Sequence, residues 1–155
     1  MKERGEFMHP IEKRGVTMLN LTWMTKLLFI GIVQILLISC SNKTEVRQLN
    51  ELGFSQYNSE EYEKAILTFS VALELDEKSH ESYNGRALAK KAMGRTKEAL
   101  SDYDRAIQIL EDTVYLNSRA KAKFDLDDLE GAVSDYSRCL ELNPNYYLPC
   151  RYPKK

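Results

Sequence analysis

Three cysteines and two histidines are the residues of this chain best suited to covalent or metal chemistry. Cys40, Cys139 and Cys150 lack Cys-x-x-Cys spacing, and His9 and His80 lie on opposite sides of an apolar segment. This spacing argues against zinc sites, dithiol redox sites and paired-histidine metal sites. Cys40 differs from the others because it lies only two residues after the apolar segment, and a thiol is readily alkylated.

Other signatures of catalysis are absent from the sequence. It has no Gly-rich phosphate loop and no Ser/His/Asp or Cys/His constellation. The acidic run at residues 125–130 lacks the glycine and terminal glutamate positions of a calcium loop. The formal net charge of −1 gives no basic excess for nucleic acid. The sequence therefore predicts a protein that is not an enzyme and binds no metal.

The apolar segment covers residues 27–38 and is interrupted only by Gly31 and Gln34. As a helix it spans roughly 18 Å, whereas a bilayer core is about 30 Å thick. A run of this length behind Lys26 is typical of the hydrophobic region of a signal peptide. An uncleaved anchor or a buried core helix are the alternatives, but a core helix would have a more polar face.

The tetrapeptide Leu37-Ile38-Ser39-Cys40 resembles the lipobox of bacterial lipoproteins, which has an aliphatic residue three positions before the cysteine and a small residue directly before it. The resemblance implies cleavage between Ser39 and Cys40. It also implies a diacylglycerol on the Cys40 thiol and an N-acyl chain on the new amino terminus. Several acyl chains anchor a protein stably, where one is marginal. No other cofactor is expected.

The amino-terminal region is thus predicted to contain a signal peptide over residues 1–39 and a lipidated tether over residues 40–44. Three glutamates precede Met18, which is unusual for a signal, so the true start is predicted at Met18 or Met24. Ser41 after the cysteine resembles the signal for the outer membrane, facing the periplasm, rather than for the inner membrane. The expected location is the bacterial cell envelope.

The body of the chain, residues 45–145, repeats itself with a spacing of 34 and then 33 residues. Small and aromatic residues recur together: Ala65, Ala99 and Ala132; Phe69, Tyr103 and Tyr136; Ala72, Ala106 and Cys139. Each unit has two amphipathic stretches joined by a polar turn, at residues 58–61, 94–95 and 125–128. This pattern predicts an all-α fold, a short α-solenoid of about three antiparallel helix pairs, with units at about 46–79, 80–112 and 113–146.

The period and the recurring positions resemble tetratricopeptide repeats. The resemblance implies that the small residues allow close helix approach and that aromatic side chains fill the groove toward the next pair. Core positions are therefore expected for Phe69, Tyr103, Tyr136, Tyr62 and Leu129. Cys139 is expected to be an unreactive buried residue, with pairing to Cys150 after export as the alternative.

The resemblance also implies that the first helix of each pair lines a concave groove for an extended or helical peptide. An asparagine recurs at one groove position in all three units, either to hold a peptide backbone or as a tolerated solvated residue. The candidate groove residues are Arg47, Asn50, Phe54, Tyr57, Glu81, Asn84, Leu88, Lys91, Val114, Asn117, Lys121 and Phe124.

The carboxylate clamp of chaperone-binding members is missing. Phe54 and Gly85 stand where two of its asparagines would lie, and Ser118 replaces its arginine. Capture of an acidic carboxy-terminal peptide is therefore not expected.

The tail, residues 147–155, is predicted to be non-helical because it contains Pro149 and Pro153. Either the apolar residues from Tyr146 onward cover the third helix pair, or that face meets a partner, for which a homodimer is the specific prediction. The predicted function is a membrane-anchored scaffold for protein–protein interaction. An assembly or pilot factor for an outer-membrane secretion or pilus machine, and an uncleaved single-pass membrane protein, are the alternatives.

Overall fold

A computed structural model describes residues 15–145 of the chain, except for the side chains of residues 15–25, 27 and 35–41. This part forms six α-helices and contains no strand. They are α1 (Gly15–Asn58), α2 (Tyr62–Leu75), α3 (His80–Ala92), α4 (Thr96–Ile109), α5 (Thr113–Asp125) and α6 (Leu129–Leu142). From α2 onward each helix packs against the next, and α3 also contacts α5. The predicted all-α array of helix pairs is confirmed.

Helix α1 continues without a break through residues 40–44, where the sequence predicts a tether. The chain divides into two compact units after Cys40. In the first unit the described apolar side chains of α1 are exposed, including Leu28 at 63% and Phe29 at 69%. Within the described residues, no helix combines the length and apolar character needed to cross a membrane. The side chains of residues 37–40 and the tail, residues 147–155, lie outside what the structure describes.

The three turns inside the helix pairs have the same backbone geometry. Glu60, Gly94 and Asp127 occupy equivalent positions and have φ angles of 62°, 77° and 59°. This left-handed conformation suits glycine and is tolerated by aspartate better than by glutamate. The chain reverses direction at the positions that the sequence predicts.

The core consists of the small and aromatic residues that recur in the sequence. Ala65, Ala99 and Ala132 are fully buried, and the aromatic residue four positions later is at most 3% exposed in each unit. In the first unit the ring of Phe69 lies so close to Gly53 that an added Cβ would approach it to 2.7 Å. Helix packing therefore depends on small residues opposite each ring.

Two expectations about the third unit are wrong. Leu129 is 46% exposed, because it is the first residue of α6 and lies with Val133 on an apolar surface depression. Cys139 is fully buried beside Leu116 and Tyr136, as expected, but it is disulfide-bonded rather than a free thiol. Its bonding partner lies outside the described residues.

Candidate peptide-binding groove

The candidate groove residues lie on α1, α3 and α5 at helical spacing, which places each set on one face of its helix. The structure separates them by exposure. Four are exposed: Arg47, Glu81, Val114 and Lys121. Five are partly buried: Phe54, Tyr57, Leu88, Lys91 and Phe124. The three asparagines, Asn50, Asn84 and Asn117, are buried.

Asn50 connects the first two units. Its Oδ1 accepts a hydrogen bond from the Ser82 hydroxyl at 2.6 Å. Its Nδ2 donates to the Ser79 hydroxyl at 3.4 Å and to Glu81 Oε2 at 3.3 Å. Ser79 also caps α3 by accepting from the backbone N–H of Ser82. The amide of Asn50 therefore holds α1 against the start of α3.

Asn84 and Asn117 have the same position in the later units but not the same partners. Their Oδ1 atoms are buried, and no described residue donates a hydrogen bond to either. For Asn84 the cause is the replacement of Ser82 by its equivalent Tyr115, whose hydroxyl lies 2.7 Å from His80 Nδ1. Because these oxygens are shielded, a ligand reaches them only after neighbouring side chains move.

Helices α3 and α5 are joined at both ends of the face between them. His80 contacts Tyr115 at the amino-terminal end, and burial raises the pKa of the Tyr115 phenol to about 12. Lys91 forms a 2.8 Å ion pair with Asp125 at the other end. The two contacts hold the first helices of units two and three side by side.

The partly buried apolar candidates belong to the edges of the core. Phe54 packs edge-on against Phe69 with a centroid distance of 5.1 Å, and Tyr57 packs against Tyr62 at 5.6 Å. Leu88 and Phe124 pack against the core clusters of the second and third units. These side chains supply an apolar base to the groove.

A set of charged residues that sequence reasoning missed lies inside the second helix pair. The Arg86 guanidinium on α3 donates two hydrogen bonds to the Asp102 carboxylate on α4, at 2.6 and 3.0 Å. Lys90 adds a 2.7 Å contact to the same carboxylate. Asp102 is only 4% exposed, so its charge depends on these two cations.

The third unit repeats the arrangement at the equivalent positions. Arg119 on α5 bonds the Asp135 carboxylate at 2.7 and 2.9 Å, and Lys123 approaches it to 3.0 Å. The hydrogen bonds to Asp135 are the main cause that raises the pKa of Arg119. The first unit has a neutral version, in which the Thr68 hydroxyl donates to Gln56 Oε1 at 2.7 Å.

Each arginine also bonds the second helix of the preceding unit. Arg86 donates to the Ser70 hydroxyl on α2 at 3.2 Å, and Arg119 donates to Asp104 on α4 at 2.7 Å. Ser70 and Asp104 are equivalent positions, so the two contacts repeat with the period of the array. The sequence signal was present: an aspartate precedes the core tyrosine and an arginine precedes the small residue in both units.

Gly85 has a packing role. It occupies one of the positions at which chaperone-binding repeat proteins carry a residue of the carboxylate clamp. A Cβ on Gly85 would overlap the Phe69 ring of the preceding unit. Because Phe54 contacts the same ring, both departures from the clamp pattern serve the core around Phe69. Among the side chains that the structure describes, no group of His, Cys, Asp and Glu residues could hold a metal.

Comparison with known proteins identifies the repeats. Residues 80–112 and 114–146 each match the family model for the tetratricopeptide repeat. A curated relative, the STIP1 homolog protein of Dictyostelium discoideum, is 28% identical over 71 residues. That match covers 46% of this chain and 13% of the relative, so the chain spans about an eighth of the relative's length.

Solved structures give the same fold. The first TPR of Spaghetti (RPAP3), bound to the HSP90 peptide SRMEEVD, has a TM-score of 0.65 and 28% identity, covering 68% of this chain and 85% of that one. The Yersinia enterocolitica type III secretion chaperone SycD, in complex with a peptide of the translocator YopD, has a TM-score of 0.61 and 25% identity, with coverages of 66% and 79%. The Arabidopsis OM64 TPR domain, at 22% identity, has a TM-score of 0.66, with coverages of 70% and 90%, and supports the fold alone.

Proposed function

We propose that this chain is a lipid-anchored scaffold that binds a peptide segment of a partner protein along the first helices of its repeats. The observation that supports this proposal most directly is the surface that α3 and α5 form side by side. Two contacts close its ends, and Glu81, Val114 and Lys121 stay exposed between them. The peptides in the RPAP3 and SycD structures support a peptide as the occupant.

The chemistry of the groove favours a peptide of mixed character. Exposed Arg47 and Lys121 offer positive charge on either side of Glu81, and the base is apolar. The clamp positions Gly85 and Ser118 carry no charge, so recognition of an acidic terminus like SRMEEVD is not part of the proposal. A peptide with at least one basic and one acidic residue beside an apolar side chain would complement the exposed residues of the groove in charge and polarity.

Site-specific photocrosslinking tests the groove. A photoreactive residue at Glu81 or Lys121 should crosslink one partner protein, while the same residue at Glu74 or Lys97 should not. These matched controls are exposed residues of the same charge on the second helices α2 and α4. Crosslinks of equal yield from all four positions, or only from Glu74 and Lys97, contradict the groove.

Binding affinity provides the quantitative test. The crosslinked segment of the partner, made as a peptide, should lose more than 10-fold in affinity when Glu81→Lys and Lys121→Glu are combined. The charge of the protein is unchanged by this exchange, so loss of general electrostatic attraction does not explain the effect. The control exchange, Glu74→Lys with Lys97→Glu, should leave the Kd within twofold.

The anchor is proposed at Cys40, with the outer membrane of a bacterial envelope as its location. The lipobox-like sequence before Cys40 supports it. The exposure of Leu28, Phe29 and Ile30 also supports it, because a core helix would bury such residues. Cys40→Ala should abolish labelling by a palmitate analogue and leave an unprocessed precursor. Labelling that persists in this variant would overturn the anchor.

An assembly role is the second candidate, because the similar SycD structure is a secretion chaperone that carries a peptide of the translocator YopD. Purification of the acylated chain from envelope extracts separates the two roles. A stoichiometric large complex favours an assembly factor. Recovery of one partner protein, lost in the Glu81→Lys, Lys121→Glu variant, favours the scaffold.

A further inference from the structure

We propose that the chain forms a homodimer through α2, with the outer face of this helix packed antiparallel against the same face of a second copy. The inference does not depend on the proposed groove or anchor. The interface lies on the second helix of unit one, whereas the groove candidates belong to the first helices α1, α3 and α5. It is supported by two exposed apolar residues, by their absence from the later units, and by the order of the charges beside them.

Two large apolar side chains of α2 are exposed. Leu67 is 67% exposed and Val71 is 46% exposed, and they lie one helical turn apart. The helix packs into the core through its opposite face, where Ala65, Phe69 and Ala72 are buried. Single exposed apolar residues are common on protein surfaces. The informative comparison is therefore with the equivalent positions of the other two units.

The later units are polar at both positions. The equivalent residues of α4 and α6 are Ser101, Arg105, Ser134 and Arg138. All four are exposed, so this face of the second helix meets solvent in every unit. Folding of a helix pair therefore does not require apolar residues there. Leu67 and Val71 form an apolar patch that only unit one carries at these positions, and such patches mark interaction surfaces.

The charges beside the patch make this face complementary to itself. Four residues of α2, at spacings of three, four and three, share one face within about 80° of arc: Lys64, Leu67, Val71 and Glu74. When two such faces pack antiparallel about the midpoint of the patch, Leu67 of each copy meets Val71 of the other. The same alignment places Lys64 of each copy opposite Glu74 of the other. Every contact occurs twice, as a two-fold symmetric interface requires.

The turns at both ends of α2 continue the same order of charges. Glu60 lies before the helix and Lys78 after it, and both are exposed. The antiparallel alignment brings Glu60 of one copy to the end that carries Lys78 of the other. In a parallel alignment each charged residue would meet its own counterpart, so like charges would oppose one another along the whole face. The charges therefore select the antiparallel direction.

Lys64 already has a neighbour within its own chain. Its Nζ lies 2.8 Å from Glu61 Oε1, and the two side chains are 64% and 45% exposed. Exposed ion pairs contribute little to stability, so Lys64 can exchange Glu61 for Glu74 of the second copy at little cost. One pair of helices is a small interface, which predicts a weak dimer that forms at micromolar or higher concentration.

Fluorescence energy transfer between two labelled populations of the full chain tests the dimer. Transfer should rise to a plateau as the concentration increases from about 1 µM to about 300 µM, the range expected for a small interface. In the double variant Leu67→Ser, Val71→Arg the Kd should rise by about 10-fold or more. This variant carries the exposed residues of unit two at both positions, so its Tm should equal that of the wild type.

The double variant Leu129→Ser, Val133→Arg is the matched control. It changes an exposed leucine and an exposed valine that also lie one turn apart, on α6. Its Kd should stay within about twofold of the wild-type value. The proposal is overturned if the wild type shows no saturable transfer. It is also overturned if the control weakens association as much as Leu67→Ser, Val71→Arg does.

Charge reversal tests the alignment of the two helices. Lys64→Glu and Glu74→Lys should each raise the Kd by about fivefold, because each places like charges opposite one another twice. A mixture of the two single variants should associate as tightly as the wild type, since all of these contacts then join opposite charges. The double variant Lys64→Glu, Glu74→Lys should also regain wild-type affinity. Lys97→Glu, at an exposed lysine of α4, is the control and should not change the Kd.

Failure of the mixture to regain affinity would overturn the antiparallel pairing. A photoreactive residue at Glu74 then identifies the occupant of the face. It should join α2 to the peptide of a second copy that contains Lys64, in a product of twice the mass of the chain. This product differs from the crosslink to another protein expected at Glu81, so the dimer and the groove can fail separately. A crosslink from Glu74 to a different protein would overturn the dimer.

Discussion

At the scale of single residues, the aromatic position of the core shows how one hydroxyl group affects stability. Phe69 and Tyr103 are equivalent and both fully buried. No described residue forms a hydrogen bond with the Tyr103 hydroxyl, and burial raises the pKa of its phenol. A buried hydroxyl without a partner opposes folding, because it has hydrogen bonds to water only in the unfolded chain.

Tyr103→Phe should therefore raise the free energy of unfolding by about 1 kcal/mol. The reverse change in the first unit, Phe69→Tyr, should lower it by about 2 kcal/mol, since it places a hydroxyl in the same kind of environment. Urea unfolding followed by circular dichroism measures both. A loss of stability in Tyr103→Phe would show that the hydroxyl has a bonding partner in solution.

At the scale of helix pairs, the buried charges make the second and third units differ from the first. Asp102 receives two bonds from Arg86 and one contact from Lys90 within the α3–α4 pair. The first unit joins its helices at the equivalent position with one neutral hydrogen bond, from Thr68 to Gln56. Loss of the hydrogen-bonding partner on the second helix should therefore cost more stability in the second unit than in the first.

Asp102→Ala should lower the free energy of unfolding by about 3 kcal/mol, because it leaves two partly buried cations without their anion. Thr68→Ala, the matched change, should cost no more than about 1 kcal/mol. Equilibrium urea unfolding of the two variants gives the comparison. Equal losses would mean that the charged cluster is no more sensitive than the neutral pair.

The turns of the helix pairs allow a backbone test. Gly94→Ala should lower the free energy of unfolding by about 1 kcal/mol, because its φ of 77° is unfavourable for a side chain. Glu60→Gly, at the equivalent turn, should raise it by up to about 1 kcal/mol. Thermal unfolding measures both changes. An unchanged Tm in both variants would contradict the assignment of strain to these turns.

Much of this architecture follows from the sequence, because small and aromatic residues recur with one period and packing requires them at fixed places. The turn at Gly94 and the core position of Phe69 were predictable for this reason. The Arg86–Asp102 pair was not recognised, because a charged residue on an amphipathic helix is expected in solvent. The burial of Asn84 was also missed, because an asparagine at this helix position was expected either to meet a peptide or to be solvated.

At the scale of the whole molecule, stability depends on contacts between neighbouring units. Tyr115 on α5 contacts His80 on α3, and burial holds the pKa of its phenol at about 12, above the ordinary value of 10. The folded protein therefore binds this proton more tightly than the unfolded chain does. The stabilisation is fully present below pH 10 and is lost as the pH rises from about 10 to about 12.

The difference in Tm between the wild type and Tyr115→Phe should therefore change over this alkaline range. Tyr103 and the lysines are common to both proteins, so their titration does not contribute to the difference. Tm measured between pH 8 and 12 provides the profile. A constant difference across the range would show that Tyr115 is not the titrating group.

The arginines that bridge neighbouring units also restrict the order in which the units can follow one another. Arg86 and Arg119 each bond back to the preceding unit, at Ser70 and Asp104, whereas the first unit has Leu52 at this position. Unit one therefore supplies a hydrogen-bond acceptor to the next unit but has no arginine that needs an acceptor on a preceding unit. It is the unit that can stand first in the array without losing such a hydrogen bond. Units two and three could not exchange places, because unit three has Ser118 at the position of Gly85, where a Cβ would overlap the Phe69 ring of unit one. A duplicated third unit could follow the existing one, because Ser137 on α6 occupies the acceptor position of Ser70. The array is directional, and by this pattern of contacts its repeats can be extended toward the carboxyl terminus but neither exchanged nor extended toward the amino terminus.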